Sequence, residues 1–302
     1  MNIAAILPLI ENPLSYPEGK HFAAILGAAP SKGARSPALW NAAFKAHGIA
    51  AEMLPMDILA GGLHALLTAL DAAPDFLGGA VAMPHKEAIA QWLGERLTPE
   101  AKAIGAVNCL YRNAEGRLMG TNTDGEGALV SCKEKFGALQ GKSVLLLGTG
   151  GAGKAVAAYM ASAVGAQGRL VLASRSEMAR DFATRLKADW LQWGRISEIL
   201  PEIDVLVNCT SVGTGQTAGQ TPLSREQLAE LPSHAAVFDI IYQPSPSALL
   251  EHAAARGLQT LDGSVMNLEQ AILGFGHANA EPNGRTVTRA AMSAAKRVLD
   301  GK

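Results

Sequence analysis

The chain has 302 residues, with 26 lysine and arginine residues against 27 aspartates and glutamates and a formal net charge of -1. At roughly 100–200 residues per domain, this length predicts two domains, each with its own core. The balanced charge gives no electrostatic reason to expect nucleic acid or an anionic membrane as a partner. Cys109, Cys132 and Cys209 lie far apart, without metal-ligand or disulfide-framework spacing. We therefore expect no metal site and a reducing, cytoplasmic setting.

Short apolar runs alternate with helical patterns through most of the chain, which is typical of a mostly parallel β-sheet covered by helices on both faces. The predicted fold class is therefore α/β. In the first part we predict strands at 22–27, 52–55 and 76–83, helices at 36–47, 61–72 and 86–92, and a hairpin at 110–112 and 118–120. The pattern restarts near residue 143, where a second domain is expected to begin. Strands are predicted there at 143–148, 169–173, 204–208, 237–241 and 259–261, with helices at 267–274 and 287–299.

A glycine-rich turn follows the first strand of this second run. It reads Gly-Thr-Gly-Gly-Ala-Gly and stands directly before an alanine-rich helix. In such a turn Gly148 permits the tight bend, Gly150 lets the backbone approach a pyrophosphate, and Gly153 lets the helix and strand pack closely. This context favours a dinucleotide site over a turn that needs small residues only for packing. The predicted site consists of Gly148, Gly150, Gly151, Ala152 and Gly153.

The residues after the next predicted strand decide between NAD and NADP. An acidic residue there would hold the ribose of NAD. The chain instead reads Ser174-Arg175-Ser176, with no carboxylate before Glu177. A guanidinium between two hydroxyls suits a 2′-phosphate, because arginine makes charge-assisted, bidentate hydrogen bonds to phosphate oxygens. We therefore predict NADP as the cofactor, held in part by these three residues; the alternative is that Arg175 is a solvated surface arginine.

Further segments, in a fixed order along the chain, carry a family resemblance. They are Pro84-His85-Lys86-Glu87, Gly105-Ala106-Val107-Asn108, Asn122-Thr123-Asp124-Gly125, Asn208-Cys209-Thr210-Ser211-Val212-Gly213, Asp239-Ile240-Ile241-Tyr242-Gln243-Pro244 and Gly263-Ser264-Val265-Met266, followed by Gln270. With them, the chain resembles the shikimate/quinate dehydrogenase family from about residue 22 to residue 274. Several independent motifs in one order are far more specific than any one of them alone.

The resemblance implies two domains with the active site in the cleft between them. Residues 1–123 with 263–302 would form a discontinuous substrate domain, and residues 124–262 a Rossmann-type NADP-binding domain. Lys86 matches the family's catalytic lysine and Asp124 the aspartate paired with it. By the same resemblance the substrate-binding residues are Ser36, Asn108, Tyr242 and Gln270, and the cofactor site also includes Thr210 and Met266.

The chemistry of Lys86 and Asp124 agrees with these roles. Reduction of a ketone needs a proton donor for the developing alkoxide, and a lysine, with a solution pKa of about 10.4, is protonated at neutral pH. Oxidation of the alcohol needs a base, so the lysine must then have a lowered pKa or pass its proton to neighbours. Apart from the motifs, Lys86 reads as a surface lysine at a helix start and Asp124 as a helix N-cap. His85 is the alternative acid–base group.

Two departures from the family pattern affect the predicted substrate pocket. The family's Ser-x-Ser-Pro, whose hydroxyls hold the substrate carboxylate, is here Ala34-Arg35-Ser36-Pro37, and its Asn-Val-Thr ahead of the lysine is Ala80-Val81-Ala82. Each lost hydrogen bond to a charged group costs about 1.5–3 kcal/mol. As a hypothesis, the pocket accepts a less polar or differently placed carboxylate, or a cation from Lys32 or Arg35 replaces the hydroxyls. The alternative is that both cations are solvated.

The sequence thus predicts an NADP-dependent oxidoreductase that interconverts a cyclic hydroxy acid, such as shikimate, and its keto acid, 3-dehydroshikimate. The resemblance places this step in aromatic amino acid biosynthesis through chorismate. Three alternatives stay open: the same fold acting on quinate or a less polar hydroxy acid, a folate-type methylene dehydrogenase, and an NADP-binding sensor without turnover. We expect a small hydroxy or keto acid as partner and a monomer or homodimer. Trp193 and Cys209 are expected to be packing residues.

Overall fold

The structure of the chain is a computed structural model that describes residues 6–14 and 20–301. Its residues form two compact units, Met1–Thr123 with Ala271–Lys302 and Asp124–Gln270. The sequence-based assignment, in which the chain returns to the substrate domain at residue 263, stays a prediction. In the part of the chain that the structure describes, we find no helix with the length and apolar character needed to cross a membrane.

Strands and helices alternate along both units. The strands are β1 (His21–Gly27), β2 (Ala51–Asp57), β3 (Phe76–Val81), β4 (Cys109–Arg112), β5 (Leu118–Thr121), β6 (Ser143–Leu147), β7 (Arg169–Ser174), β8 (Asp189–Gln192), β9 (Val205–Asn208), β10 (Ala236–Asp239) and β11 (Gln259–Asp262). The helices are α1 (Ser36–His47), α2 (Leu63–Asp71), α3 (Lys86–Leu93), α4 (Pro99–Ile104), α5 (Thr123–Phe136), α6 (Gly151–Val164), α7 (Ala179–Arg185), α8 (Arg225–Ala229), α9 (Ala248–Ala255), α10 (Gly263–Ala278) and α11 (Arg285–Leu299).

The first unit contains a mixed sheet of order β2-β1-β3-β4-β5. Its first three strands are parallel, and β4 and β5 form the antiparallel hairpin expected from the sequence. Strand β2 is longer than predicted because it continues through Pro55, opposite Ile25 of β1. Strand β2 lies at the edge of the sheet, so one side of its backbone has no neighbouring strand. A proline, which has no N–H, costs no ladder hydrogen bond when its nitrogen faces that side.

Helix α4 was missed by the sequence pattern because it is too short to show helical periodicity. Its ends are nevertheless encoded locally. Thr98 accepts the N–H of Ala101 at 3.3 Å as N-cap, Pro99 opens the helix, and Gly105 ends it with a φ of 74°. This is the usual arrangement of a polar cap and proline at the start and glycine after the end.

The C-terminal helix α11 packs against α1 within the first unit. Beside this contact, the rings of Trp40 and Phe44 lie 5.4 Å and 5.1 Å from that of Phe275. His47 and Thr288, both buried, form a hydrogen bond of 2.7 Å between Nε2 and Oγ1. The C-terminal segment therefore completes the core around α1, whose first residue is Ser36.

The second unit contains six parallel strands in the order β11-β10-β9-β6-β7-β8. Renumbered from β6, this is the doubly-wound order 3-2-1-4-5-6 of a Rossmann fold, whose switch point lies between its first and fourth strands, here β6 and β9. Along β6, Val144 and Leu146 belong to one core and Leu145 and Leu147 to another, so both faces of the sheet are covered. The predicted α/β class is confirmed.

Candidate dinucleotide and substrate sites

A cavity of about 870 Å³ opens at the carboxyl ends of β6, β7 and β9 in the second unit. This is the edge of a doubly-wound sheet at which ligands bind. Most of the predicted cofactor residues line it. These are Gly148, Gly150, Gly151, Ala152, Ser174, Arg175, Ser176 and Thr210. Gly153 lies at the packing contact behind the turn, and Met266 belongs to the core on one face of the sheet.

The glycine turn has the geometry of a phosphate cradle. Gly148 has a φ of 88°, which residues with a side chain rarely adopt. A Cβ at Gly153 would stand 2.1 Å from the carbonyl oxygen of Gly148, whereas Cβ atoms at Gly150 and Gly151 would meet no heavy atom within 4 Å. The turn is therefore closed on its inner side and open toward the cavity. Because α6 begins at Gly151, its free N–H groups and positive dipole end favour a pyrophosphate there.

In the Ser174-Arg175-Ser176 turn, the serine side chains form hydrogen bonds within the protein, whereas the arginine is exposed at the cavity. The hydroxyl of Ser174 donates to the carbonyl of Ser176 at 2.7 Å and accepts the indole N–H of Trp190 at 3.0 Å. The hydroxyl of Ser176 accepts the N–H of Met178 at 3.3 Å. Arg175 is exposed and lines the cavity. The two serines therefore shape the turn, and the guanidinium is its main group for a phosphate.

Replacing Arg175 with alanine tests this division. If the guanidinium binds the 2′-phosphate, loss of its charge-assisted hydrogen bonds removes about 1.5–3 kcal/mol of binding, roughly a tenfold to hundredfold rise in the KM for NADP. The KM for NAD should change little, because NAD has no 2′-phosphate. Arg185→Ala is the matched control, since Arg185 is also exposed but borders a different cavity. Equal effects of Arg175→Ala on both dinucleotides would contradict the assignment.

Sequence reasoning missed several residues of this cavity. Trp193, expected to be a packing residue, lines it because a 3-10 helix, Trp193–Glu198, begins directly after β8. The position of Trp193 depends on strand β8, which the pattern of apolar residues did not predict. Cys209 also lines the cavity, and burial raises the pKa of its thiol. It therefore stays a neutral thiol, in agreement with the expected packing role.

In the first unit, Lys86 is the first residue of α3, and its carbonyl accepts the N–H of Val107 at 3.0 Å. Asn108 is buried, and its Oδ1 accepts the backbone N–H of Thr123 at 2.6 Å. The amide thus fixes the start of α5, immediately before Asp124 in the first turn of that helix. Asn108 was predicted to line the substrate; the structure shows that it also orders the backbone next to the predicted aspartate.

The alternative acid–base group, His85, has a structural hydrogen bond. The ring is buried, and its Nε2 lies 2.9 Å from the carbonyl oxygen of Ile58. A carbonyl only accepts, so Nε2 carries the hydrogen in this contact. Because this proton is held inside the first unit, the geometry favours Lys86 over His85 for proton transfer.

One of the two cations proposed to bind the substrate carboxylate, Arg35, already contacts a carboxylate of the protein. The guanidinium of Arg35 forms an ion pair with the carboxylate of Asp300, which also accepts a hydrogen bond from Lys296 at 2.8 Å. Lys32 is exposed, at the end of the 3-10 helix Pro30–Lys32. Arg35 is therefore occupied by a carboxylate of the chain itself, which disfavours its use for a substrate carboxylate.

This ion pair predicts a pH dependence of stability. Hydrogen bonds from Lys296 and Arg35 lower the pKa of Asp300 from 3.8 to about 2. A lowered pKa stabilises the fold above the unfolded value and loses that effect as pH falls through the folded one. We expect the difference in Tm between the wild type and Asp300→Asn to be constant above about pH 5, to shrink as the pH falls from there, and to be lost as the pH passes below about 2. A difference that persists undiminished at the acid end would contradict the assignment, and thermal unfolding followed by circular dichroism measures it.

Tyr242 and Gln270 both belong to the second unit. Tyr242 is half exposed in the segment between β10 and α9. Gln270 lies in α10, and its Nε2 donates to the carbonyl of Asn267 at 3.1 Å. Their assignment to the substrate stays a prediction. Among residues 6–14 and 20–301, no group of three or more histidine, cysteine or acidic side chains is arranged to hold a metal ion.

Comparison with known proteins decides the family. The sequence-family model of the shikimate dehydrogenase substrate binding domain matches residues 26–110. The family model of shikimate/quinate 5-dehydrogenase matches residues 131–240. The shikimate dehydrogenase (NADP(+)) of Methylobacterium radiotolerans is 38% identical over 256 residues, which cover 82% of this chain and 87% of that protein. The chain belongs to the shikimate/quinate dehydrogenase family. The predicted resemblance is confirmed, the protein is an oxidoreductase, and the folate-type alternative is set aside.

Two solved structures of similar fold bear on the substrate. Shikimate 5-dehydrogenase of Thermus thermophilus, in complex with NADP(H) and shikimate, is 30% identical with a TM-score of 0.75, covering 91% of this chain and 99% of that one. The ligand-free 5-ketofructose reductase of a Gluconobacter species is 27% identical with a TM-score of 0.77, covering 92% and 99%. Proteins of this architecture thus include one named for a substrate other than shikimate.

Proposed function

We propose that this member of the family is an NADP-dependent dehydrogenase that reversibly reduces a cyclic keto acid, such as 3-dehydroshikimate, to its hydroxy acid. The observation that carries the proposal is the cavity at the ends of β6, β7 and β9, where an open glycine turn meets the exposed guanidinium of Arg175. The Methylobacterium relative is named as NADP-dependent, and the Thermus structure holds NADP(H) with shikimate. Both support the choice of cofactor and substrate class.

The residues of the second unit fit NADP. Gly150 and Gly151 leave room for a pyrophosphate at the start of α6, and Arg175 supplies a cation for the 2′-phosphate. Bound NADPH supplies the hydride for the carbonyl carbon. The chain must then supply the proton for the carbonyl oxygen, which is the role of Lys86 with Asp124. In the reverse direction Lys86 takes the hydroxyl proton, so the same pair serves both directions.

A second candidate substrate is an uncharged polyhydroxy ketone. Ala34 and Ala82 offer no hydroxyl where the family pattern has serine and threonine, and Arg35 is paired with Asp300. Within the segment 34–37, the hydroxyl of Ser36 is left to receive a substrate carboxylate, and the exposed Lys32 is the remaining candidate cation. A substrate without a carboxylate does not need the carboxylate-binding hydroxyl that is missing at Ala34. The similarity to the 5-ketofructose reductase of Gluconobacter makes such a ketose a concrete test compound.

Initial-rate measurements separate these possibilities. The purified protein is assayed with shikimate and quinate for NADP or NAD reduction, and with 3-dehydroshikimate and 5-ketofructose for NADPH oxidation. Turnover of shikimate with NADP is the expected result. Turnover of the ketose alone would favour the second candidate. NADP binding without turnover of any compound would contradict both and favour the alternative of an NADP-binding sensor.

A further inference from the structure

A buried carboxylate at the end of β10 lies outside the proposed catalytic machinery. Asp239 has no solvent exposure. It accepts three hydrogen bonds, from Nδ2 of Asn208 at 3.0 Å, from Oγ of Ser247 at 2.6 Å and from the backbone N–H of Ile241 at 3.1 Å. All three donors are uncharged, and burial raises the pKa of the carboxyl group from its usual value. Burying a carboxylate is costly even when it is hydrogen-bonded, so its presence here calls for an explanation.

The carboxylate, at 3.0 Å, and the carbonyl of Val212, at 3.5 Å, both accept from Nδ2 of Asn208 and favour one orientation of its side chain. Asn208 and Asp239 are in register at the ends of the adjacent parallel strands β9 and β10. An ionised carboxylate only accepts hydrogen bonds, so the amide must turn its NH₂ group toward Asp239 and its oxygen away. A flipped amide would place two acceptor oxygens against each other at hydrogen-bond distance.

The amide oxygen of Asn208 in turn holds the segment that follows β9. It accepts the backbone N–H of Thr210 at 3.0 Å and the hydroxyl of Thr210 at 2.7 Å. The oxygen of that hydroxyl accepts the N–H of Val212 at 3.1 Å. Thr210 and Val212 both line the dinucleotide cavity. The methyl group of Thr210 lies 2.8 Å from where a Cβ at Gly148 would stand, so this segment abuts the glycine turn.

Asp239 also orders the segment that carries Tyr242. It accepts the N–H of Ile241 one residue before that tyrosine, and the hydroxyl of Ser247, which is the N-cap of α9. Residues 209–212, through Asn208, and residues 240–247 are thus tied to one buried group. Asp239 itself does not line the cavity.

We propose that Asp239 is a positioning residue for the dinucleotide: by orienting the amide of Asn208, it sets the conformation of residues 209–212 beside the glycine turn. The proposal rests on the proposed function only in naming NADP as the occupant of the cavity. Its structural part concerns hydrogen bonds that exist without any ligand, so the two parts are tested separately.

Hydrogen exchange of the protein without cofactor tests the structural part. The amides of Thr210 and Val212 are protected by the hydrogen bonds that depend on Asn208, so Asp239→Leu should increase exchange in a peptide covering 209–213 by about tenfold or more. Ser247→Ala is the matched control, because it removes a hydrogen bond from the same carboxylate but leaves the bond to Asn208. Exchange in the 209–213 peptide should stay within about twofold of wild type in this control.

NADP binding, measured by titration calorimetry, tests the functional part. Asp239→Leu should raise the Kd for NADP by about tenfold, which corresponds to about 1.4 kcal/mol. Asp239→Asn should restore binding to within about threefold of wild type, because its amide oxygen can accept from Asn208 and Ile241 while its NH₂ donates to Ser247. A residue that only stabilised the fold would not show this pattern of rescue together with an unaffected Ser247→Ala control.

A second variant keeps the proposal testable if Asp239→Leu does not fold. Asn208→Asp places two carboxyl groups in contact, so the pKa of one is raised and a shared proton takes the place of the lost NH₂ donor. Relative to wild type, NADP binding by Asn208→Asp should be weak near pH 8 and recover as the pH falls toward about 5.5. The proposal is overturned by unchanged 209–213 exchange and NADP affinity in Asp239→Leu, by equal losses in Ser247→Ala, or by a pH-independent defect in Asn208→Asp.

Discussion

Lys86→Ala is expected to lower kcat by about 10²–10⁴-fold in either direction, the usual contribution of a positioned proton donor or acceptor. The Kd for NADP should stay within about twofold, because the proposed cofactor residues all belong to the other unit. Without the ammonium group, the alkoxide that develops during reduction has no proton donor in this position. Single-turnover rates with NADPH and the keto substrate measure the chemical step directly.

Two further variants make this result interpretable. Lys102→Ala removes an exposed lysine of the same unit, ion-paired with Glu95, and should leave kcat unchanged. Lys86→Arg keeps the positive charge but holds its proton too tightly to act as a base. If Lys86→Arg were as active as wild type, the lysine would act by charge alone. If Lys86→Ala were as active as wild type, the assignment of the proton donor to Lys86 would be wrong.

Gly153→Ala is expected to damage both stability and cofactor binding. Its Cβ would lie 2.1 Å from the carbonyl oxygen of Gly148 and 3.3 Å from Cβ of Cys209, so the first turn of α6 must move away from the strand. Overpacking of this kind costs about 1–3 kcal/mol of unfolding free energy. Because the displaced turn is the proposed pyrophosphate site, the Kd for NADP should rise at least about tenfold. Urea unfolding and calorimetric titration measure the two effects.

The neighbouring glycines provide the matched controls for that experiment. Gly150→Ala and Gly151→Ala add the same methyl group where no heavy atom of the protein lies within 4 Å, so their unfolding free energy should change by less than about 0.5 kcal/mol. Any loss of NADP affinity in these two variants then reports contact between the new methyl group and the ligand. Stability losses equal to that of Gly153→Ala would show that the turn is not closed on one side as described.

The features that the sequence predicted correctly are those with a local cause. The glycine turn needs only its own six residues and the strand before it, and the continuous apolar run of β6 is what a parallel strand buried on both faces requires. The hairpin of β4 and β5 follows from the turn residues between its strands. The family resemblance rests on several motifs in a fixed order along the chain, and no single motif would have identified the family.

Apart from short elements such as α4 and β8, what was missed depends on contacts between distant parts of the chain. The hydroxyl of Ser174 is used by Trp190, sixteen positions further along, and Arg35 pairs with Asp300 at the other end of the sequence. Neither pairing can be predicted from the types of the residues or from their spacing in the sequence. The role of Asp239 likewise depends on the register of β9 and β10, which places it opposite Asn208 only once the sheet has formed.

The division of the chain also bears on the order in which it folds during synthesis. Residues 124–270 are contiguous, so the second unit can collapse as soon as they leave the ribosome. The first unit must wait, because α11, which packs on α1, and Phe275, which lies against Trp40 and Phe44, are translated after the whole second unit. Until then the apolar face of α1 lacks its native cover, so we expect this face to be available for aggregation during that interval.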